Sequence, residues 1–351
     1  MKKIAIFQDD LNIGGIQKSL INLLNNLDYS EYSVDLFVFQ SDGVWRDRIP
    51  EEVTVKNLKP MKESLKFIPF DVALSAADYS FEDISENYDL AVDFNSYQPW
   101  TAVCAISIPA NKRVMWVHND IKIKYKEEWK YRVLFNAMKG KYKYFEEFAC
   151  VSDAIIQPFI ELTGQNDKEY FTIPNYVDAD EILNKSHQSV DDAKFDDKCF
   201  NICAVGRLCH QKGFDIMIDT FAKAVNERDD LRLYIIGEGE EQSSIVKQIE
   251  RLNMQKYISV LGRKENPYAY MNRCDAFIST SRYEGQGINI LEAKVLGLQI
   301  FIPKHLEKYV EGINGSVDIV QDLICAEKKD KNIDYLSEYN AKTLAMFGIL
   351  C

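Results

Sequence analysis

Short, largely apolar runs alternate with stretches of helical spacing along most of the chain, and this alternation constrains the fold more than any other feature. KKIAIFQ reads as a buried strand; after a Gly-Gly turn, IQKSLINLLNNL carries apolar residues at helical spacing, and SVDLFVFQ returns to strand. LAVDFN, KRVMWVHND, FACVS and YFTIPN read as further strands, each followed by a polar or helical stretch. Strands buried on both faces and joined by helices pair in parallel, so the pattern predicts a doubly wound α/β sheet.

The alternation pauses over Asp178 to Lys198, a polar stretch without clear periodicity that reads as a linker. It then resumes with FNICAVG, FDIMIDTFAKAVNE, LRLYIIG, EQSSIVKQIERLN, ISVLG and QIFIP, a second open α/β sheet. A chain of 351 residues exceeds what one hydrophobic core supports. The predicted organisation is therefore a first domain over 1–177, a linker over 178–198, a second domain over 199–335 and a final helix over 336–351 whose path the sequence leaves open. Ligands of such sheets bind at the carboxyl ends of the strands, so two of them facing each other predict a cleft as the place for chemistry.

Charge narrows the function. A formal net charge of −12 argues against general binding of nucleic acid, which needs a basic field. The first residues show neither a signal peptide nor a membrane-spanning run, so a cytoplasmic protein is expected. The eight cysteines lie scattered, mostly in apolar runs, as reduced core thiols do. Cys199, Cys203, Cys209 and His210 lack the paired spacing of structural zinc, and there is no Asp-x-Asp motif, so no metal or other cofactor is expected.

Two stretches carry chemistry. In STSRYEGQGINILEAKVLG, Glu284 lies in a loop, Gly285 and Gly287 let backbone approach a ligand, and a helix starting near Gly287 would turn the amides from Gln286 through Ile288 and Asn289 to Ile290 towards an anion. Glu292 falls inside that helix. In AVGRLCHQKGFDIMIDTFAKA, a strand ends at Gly206, and Arg207 and Lys212 follow at a strand-to-helix junction, a pairing able to clamp a diphosphate. Each has a plainer counterpart, a surface acid beside a helical glutamate and solvated loop cations.

The order GRL-x-x-Q-KG, then YIIGEGEE, then YEGQGINILEA resembles the C-terminal half of the retaining glycosyltransferases of family four, strongly over residues 200 to 300. The resemblance implies the two-domain GT-B fold. It implies that Arg207 and Lys212 bind the donor diphosphate, that Glu284 contacts the donor sugar and that Glu292 hydrogen-bonds the ribose hydroxyls. It also places the glycine-rich loop with Gly14 and Gly15 at the cleft floor, leaving room for phosphate and acceptor, and gives His118 one hydrogen bond to the donor sugar. His187, His210 and His305 read as incidental. After Gly297 the sequence lacks the family's usual double-glycine turn. Family members are thought to transfer with retention and without a protein nucleophile, the acceptor attacking the face from which the diphosphate leaves.

The implied function is metal-independent transfer of a hexose or N-acetylhexosamine from a UDP-sugar to a lipid-linked or polysaccharide acceptor in bacterial surface-glycan synthesis. A sugar-nucleotide epimerase of the same fold and a non-catalytic or glycan-binding partner are the competing readings. Within the acidic whole, residues 122–145 interleave eight cations with aromatics. Such a segment predicts peripheral contact with the inner face of the plasma membrane, against the alternative of a solvated helix with its aromatics in the core.

Overall fold

The computed structural model describes residues 1–59, 67–76 and 87–351. The chain forms two compact units, one of Met1–Tyr176 with Ser337–Cys351 and one of Val177–Leu336. In the first, β1 (Lys2–Asp10), β2 (Tyr32–Gln40), β3 (Thr54–Asn57), β4 (Tyr88–Asp93), β5 (Ala110–Val117), β6 (Glu147–Cys150) and β7 (Glu169–Thr172) make one parallel sheet. Its order is β3-β2-β1-β4-β5-β6-β7. Ile4 to Phe7 are all fully buried, as a strand covered on both faces requires. Helices α1 (Gly15–Leu24), α2 (Phe70–Ala76), α3 (Pro99–Ser107), α4 (Ile121–Glu127), α5 (Trp129–Met138) and α6 (Ile156–Thr163) flank it.

The second unit opens with α7 (Ala179–Ser186), inside the stretch expected to be a linker. Asp178 caps this helix, accepting the Glu181 amide at 2.8 Å, and Ala179, Ile182 and Ser186 form its buried stripe. Polar composition hid a short amphipathic helix there. β8 (Phe200–Val205), β9 (Leu231–Ile236), β10 (Ile258–Gly262), β11 (Ala276–Ile278) and β12 (Gln299–Phe301) form a parallel sheet in the order β10-β9-β8-β11-β12. Its helices are α8 (Phe214–Val225), α9 (Gln242–Arg251), α10 (Pro267–Met271), α11 (Ile288–Val295) and α12 (Ile319–Cys325). Phe214, Ile218 and Phe221 of α8 pack with Ile202, Leu233 and Ile235 in the core of this sheet.

The last helix, α13 (Ser337–Leu350), belongs to the first unit. Its Phe347 packs edge-on to Tyr32 at 5.7 Å and tilts against Trp116 at 6.3 Å, and Lys112 Nζ donates to the Leu350 carbonyl at 3.0 Å. In each sheet the strand order reverses once near the middle, between β1 and β4 and between β8 and β11. At these positions successive connections leave in opposite directions and open a crevice beyond the carboxyl ends. Among the described residues no helix is long and apolar enough to cross a membrane.

Candidate functional site

In the second unit, the expected site residues gather at the β8/β11 reversal. β8 ends at Val205; Gly206 and the exposed Arg207 follow, a 3-10 turn spans residues 210–212, and Gly213 leads into α8. Gly213 has φ +63°, and a Cβ there would stand 2.3 Å from the Thr280 carbonyl oxygen, so close approach of the β8 and β11 loops demands glycine. Thr280 Oγ1 closes the contact by donating to the Gly213 carbonyl at 2.8 Å. The methylenes of Lys212 lie over Gly206, where an added Cβ would touch them at 3.7 Å.

The loop after β11 is pinned to this junction from several sides. The Arg282 amide donates to the Gln211 carbonyl at 2.8 Å, and its guanidinium grips Asp215 at 2.9 and 2.7 Å. That fork holds the Asp215 carboxyl below the usual range. Gln211 Nε2 donates to the Tyr283 carbonyl at 3.1 Å, and His305 Nε2 to the Ser281 carbonyl at 2.9 Å. Held this way, Glu284 is 5% exposed and its Oε1 lies 2.6 Å from Lys212 Nζ.

Gly287 (φ +69°) precedes Ile288, the first residue of α11, as the motif predicts. Asn289 Nδ2 ties the helix to β8 through the Val205 carbonyl at 2.7 Å. Gln286 and Glu292 are buried, and Glu292 Oε1 accepts the Tyr268 hydroxyl at 3.0 Å. Arg207, Lys212, Glu284, Gln286 to Asn289 and Glu292 are thus brought to one end of one sheet. Sequence reasoning missed Arg282, Tyr268 and His305, which hold the loop or its glutamate. Arg282 stands two residues before Glu284 in the quoted motif, yet no spacing rule links it to Asp215.

The first unit carries its own group at the β1/β4 reversal. Gly14 caps α1 with φ −171°, an extended backbone open to any residue, and Gly15 begins the helix. A Cβ at Gly14 would meet only the flexible Gln17 amide, at 2.2 Å, and one at Gly15 would meet nothing within 4 Å. Neither glycine is demanded by the fold, and the space beside Gly15 is open.

His118 follows β5, its ring packed on Phe94 and Trp116 at centroid distances of 4.7 and 6.2 Å. Its Nε2 is 3.0 Å from the Phe94 carbonyl, which can only accept, so Nε2 carries the proton and Nδ1 is left as an acceptor. Burial lowers its pKa to about 3, so the ring is neutral across the physiological range. On the other face of the sheet, Asp93 at the end of β4 and Lys141 are both 0% exposed. Burial raises Asp93 to about 6 and lowers Lys141 to about 8, each opposed by the other's charge.

Lys141 was expected on a basic surface and instead lies in the core. Of the other cations in residues 122–145, Lys122 pairs with Glu161, Lys124 with Glu128 and Lys143 with Asp71. Tyr131, Phe135 and Tyr142 are buried, in line with core packing. Trp129 and Val133 on α5, however, are 67% and 51% exposed, with Lys126, Lys130, Arg132 and Lys139 exposed around them.

Residues 186–311 match the family model described as Glycosyl transferases group 1. Over 193 residues the chain is 28% identical to an uncharacterized glycosyltransferase of Methanocaldococcus jannaschii, covering 54% of this chain and 47% of that protein. Over 127 residues it is 29% identical to the N-acetylgalactosamine-N,N'-diacetylbacillosaminyl-diphospho-undecaprenol 4-alpha-N-acetylgalactosaminyltransferase of Campylobacter jejuni, covering 36% of this chain and 33% of that one. The chain therefore spans under half the length of these two relatives. Anabaena HepE in complex with UDP-glucose matches with a TM-score of 0.69 and 17% identity, over 100% of this chain and 99% of that one. Staphylococcus aureus TarM in a complex containing UDP gives 0.65 and 13%, over 99% and 96%. These likenesses establish the fold as GT-B, with two parallel-sheet α/β units, and the second unit carries a group 1 glycosyltransferase segment.

Proposed function

We propose that this chain is a retaining glycosyltransferase that moves a hexose or N-acetylhexosamine from a UDP-sugar onto a lipid-linked or polysaccharide acceptor in surface-glycan synthesis. The observation that carries the reading is the Lys212–Glu284 pair at the β8/β11 reversal, beside Arg207 and the first turn of α11, within the matched segment. Arg207 and Lys212 neutralise the departing diphosphate, and the amides from Gly285 to Asn289 take its remaining oxygens. Glu292, oriented by Tyr268, receives the ribose hydroxyls; Glu284 binds the donor sugar. His118 offers Nδ1 as an acceptor to a sugar hydroxyl. Two cations and a helix start supply the charge compensation that a divalent ion supplies elsewhere, so transfer proceeds without metal.

The test is a thermal-unfolding screen in chelator against UDP, GDP, ADP and the common UDP-hexoses, followed by a transfer assay with the stabilising sugar. A ligand at about a hundredfold its Kd adds about 2.7 kcal/mol to the native state. Stabilisation by uridine nucleotides and transfer to a lipid-linked glycan are expected. Stabilisation without transfer would assign the chain to the non-catalytic partners, and no shift with any nucleotide would overturn the reading.

The acceptor side implies a membrane, and α5 presents the surface for it. Trp129 and Val133, at i and i+4, share one exposed helix face, bordered by Lys126, Lys130, Arg132 and Lys139 on a chain of net charge −12. An aromatic anchor among cations fits an anionic bilayer, each cation near the surface contributing about 1 kcal/mol. Trp129→Ser with Lys126→Glu and Lys130→Glu is expected to abolish cosedimentation with phosphatidylglycerol vesicles. Unchanged binding would return the segment to a solvated helix.

A further inference from the structure

The segment joining β4 to α3 is held by side chains that no sequence motif marks. Asp93 Oδ1 accepts the Asn95 amide at 3.2 Å, and Thr101 Oγ1 donates to the Asn95 carbonyl at 3.1 Å. Lys141, reaching in from the 3-10 turn of residues 139–144, donates to the Ser96 carbonyl at 2.5 Å and the Gln98 carbonyl at 3.3 Å. Phe94 lies within this anchored segment. Its amide is tied to the Phe7 carbonyl at 3.0 Å, and its own carbonyl is the one that receives His118 Nε2.

A fully buried lysine is a costly way to fill space, since an apolar side chain of similar volume would pack there without desolvating a charge. What it supplies that methionine cannot is several donors on one atom, here spent on two carbonyls of a short loop. Peptide groups are rigid planes, so anchoring those on either side limits where the Phe94 carbonyl can point.

We infer that Lys141, with Asp93 as its counter-charge, is a positioning residue for His118. By clamping the segment after β4 it aims the Phe94 carbonyl, and that carbonyl holds the imidazole as the Nε2–H tautomer with Nδ1 as the acceptor. Lys141 touches no reacting atom; it acts through one backbone carbonyl. The catalytic consequence rests on the proposed role of His118, whereas the positioning itself does not.

The experiment is ¹⁵N NMR of the imidazole nitrogens in the full chain, tractable with four histidines, His118 being assigned by the signal lost in His118→Gln. Wild type is expected to show a neutral Nε2–H tautomer. Because Lys141→Met alone strands the Asp93 charge, the informative variant is Asp93→Asn with Lys141→Met. In it the His118 signals should move towards a mixture of tautomers, and kcat should fall about tenfold to a hundredfold at nearly constant donor KM, as small misplacements of an active group do. Unmoved His118 signals in a folded double variant would overturn the inference, as would a wild-type Nδ1–H tautomer, which decides the matter even if the variant fails to fold. Moved signals in a chain without transferase activity would leave the positioning in place and remove the proposed role of His118.

Discussion

Lys212 and Glu284, 72 positions apart in sequence, meet at 2.6 Å, so a group proposed for the diphosphate and a group proposed for the sugar form one ion pair. The pair is asymmetric: the side chains are 21% and 6% exposed. The cation can turn to water, whereas the carboxylate is enclosed by the loop that Arg282, Gln211 and His305 pin.

That asymmetry separates two substitutions. Lys212→Ala strands a buried carboxylate and is expected to cost about 2–3 kcal/mol, below the range for a fully enclosed pair. Glu284→Ala leaves a lysine that can reach solvent and should cost under about 1 kcal/mol. Both should lower transfer by at least about a hundredfold, the usual effect of removing a group aimed at developing charge or at the reacting sugar. Urea unfolding and single-turnover rates check this; near-normal transfer by Glu284→Ala sinks its assignment.

Tyr268 supplies one hydroxyl to Glu292 at 3.0 Å in a buried setting. Tyr268→Phe keeps the ring and removes that bond, loosening one hold on Glu292. A hydrogen bond to a charged group contributes about 1.5–3 kcal/mol, so stability should fall by up to that amount, and a displaced Glu292 should weaken UDP binding about tenfold or more. Isothermal titration calorimetry with UDP decides; unchanged affinity would separate Glu292 from the nucleotide.

The Asp93 and Lys141 pair predicts a particular pH dependence of stability. Burial raises Asp93 from 3.8 to about 6, so the folded state holds this proton more tightly than the unfolded chain, and the contribution falls as pH rises from about 4 to about 6. Burial lowers Lys141 from 10.5 to about 8, so the contribution rises again from about 8 towards 10.5. His118, lowered from 6.5 to about 3 chiefly by burial that both proteins share, adds the opposite slope on the acid side, which largely cancels in their difference. Wild-type unfolding free energy minus that of Asp93→Asn with Lys141→Met should therefore trace a trough between about pH 6 and 8; a flat difference contradicts it.

Gly213→Ala would place a methyl 2.3 Å from the Thr280 carbonyl oxygen at a left-handed φ of +63°. Backbone strain of this kind costs about 1–3 kcal/mol. Because the displaced contact joins the β8 and β11 loops, donor affinity should weaken together with stability. Thermal unfolding with and without UDP measures both.

Much of the fold was legible because parallel strands buried on both faces leave unbroken apolar runs, from Ile4–Phe7 to Leu233–Ile236. β3 was not, since Thr54–Asn57 is a four-residue strand with no fully buried side chain, paired among the described residues only to β2. α7 was hidden by polar composition, although Asp178 with Glu181 three residues on is a capping signal that could have exposed it. At the candidate site, residue types and motif order singled out Arg207, Lys212, Glu284 and Glu292, which the fold gathers at one end of one sheet. Their partners were beyond reach: Arg282 finds Asp215 and Tyr268 finds Glu292 only after the chain has folded. Lys141 misled most, because a lysine among lysines reads as solvated and nothing local points to the Ser96 carbonyl 45 positions earlier.

The return of Ser337–Cys351 to the unit that starts at Met1 makes Val177–Leu336 an insertion, and this sets an order of events during synthesis. The ribosome finishes every residue of the inserted unit before releasing the helix that covers Tyr32 and Trp116 with Phe347. The unit that contains Met1 is thus completed only after the inserted one, and until Phe347 emerges it carries an open aromatic patch of the kind that makes a partly made chain prone to aggregate.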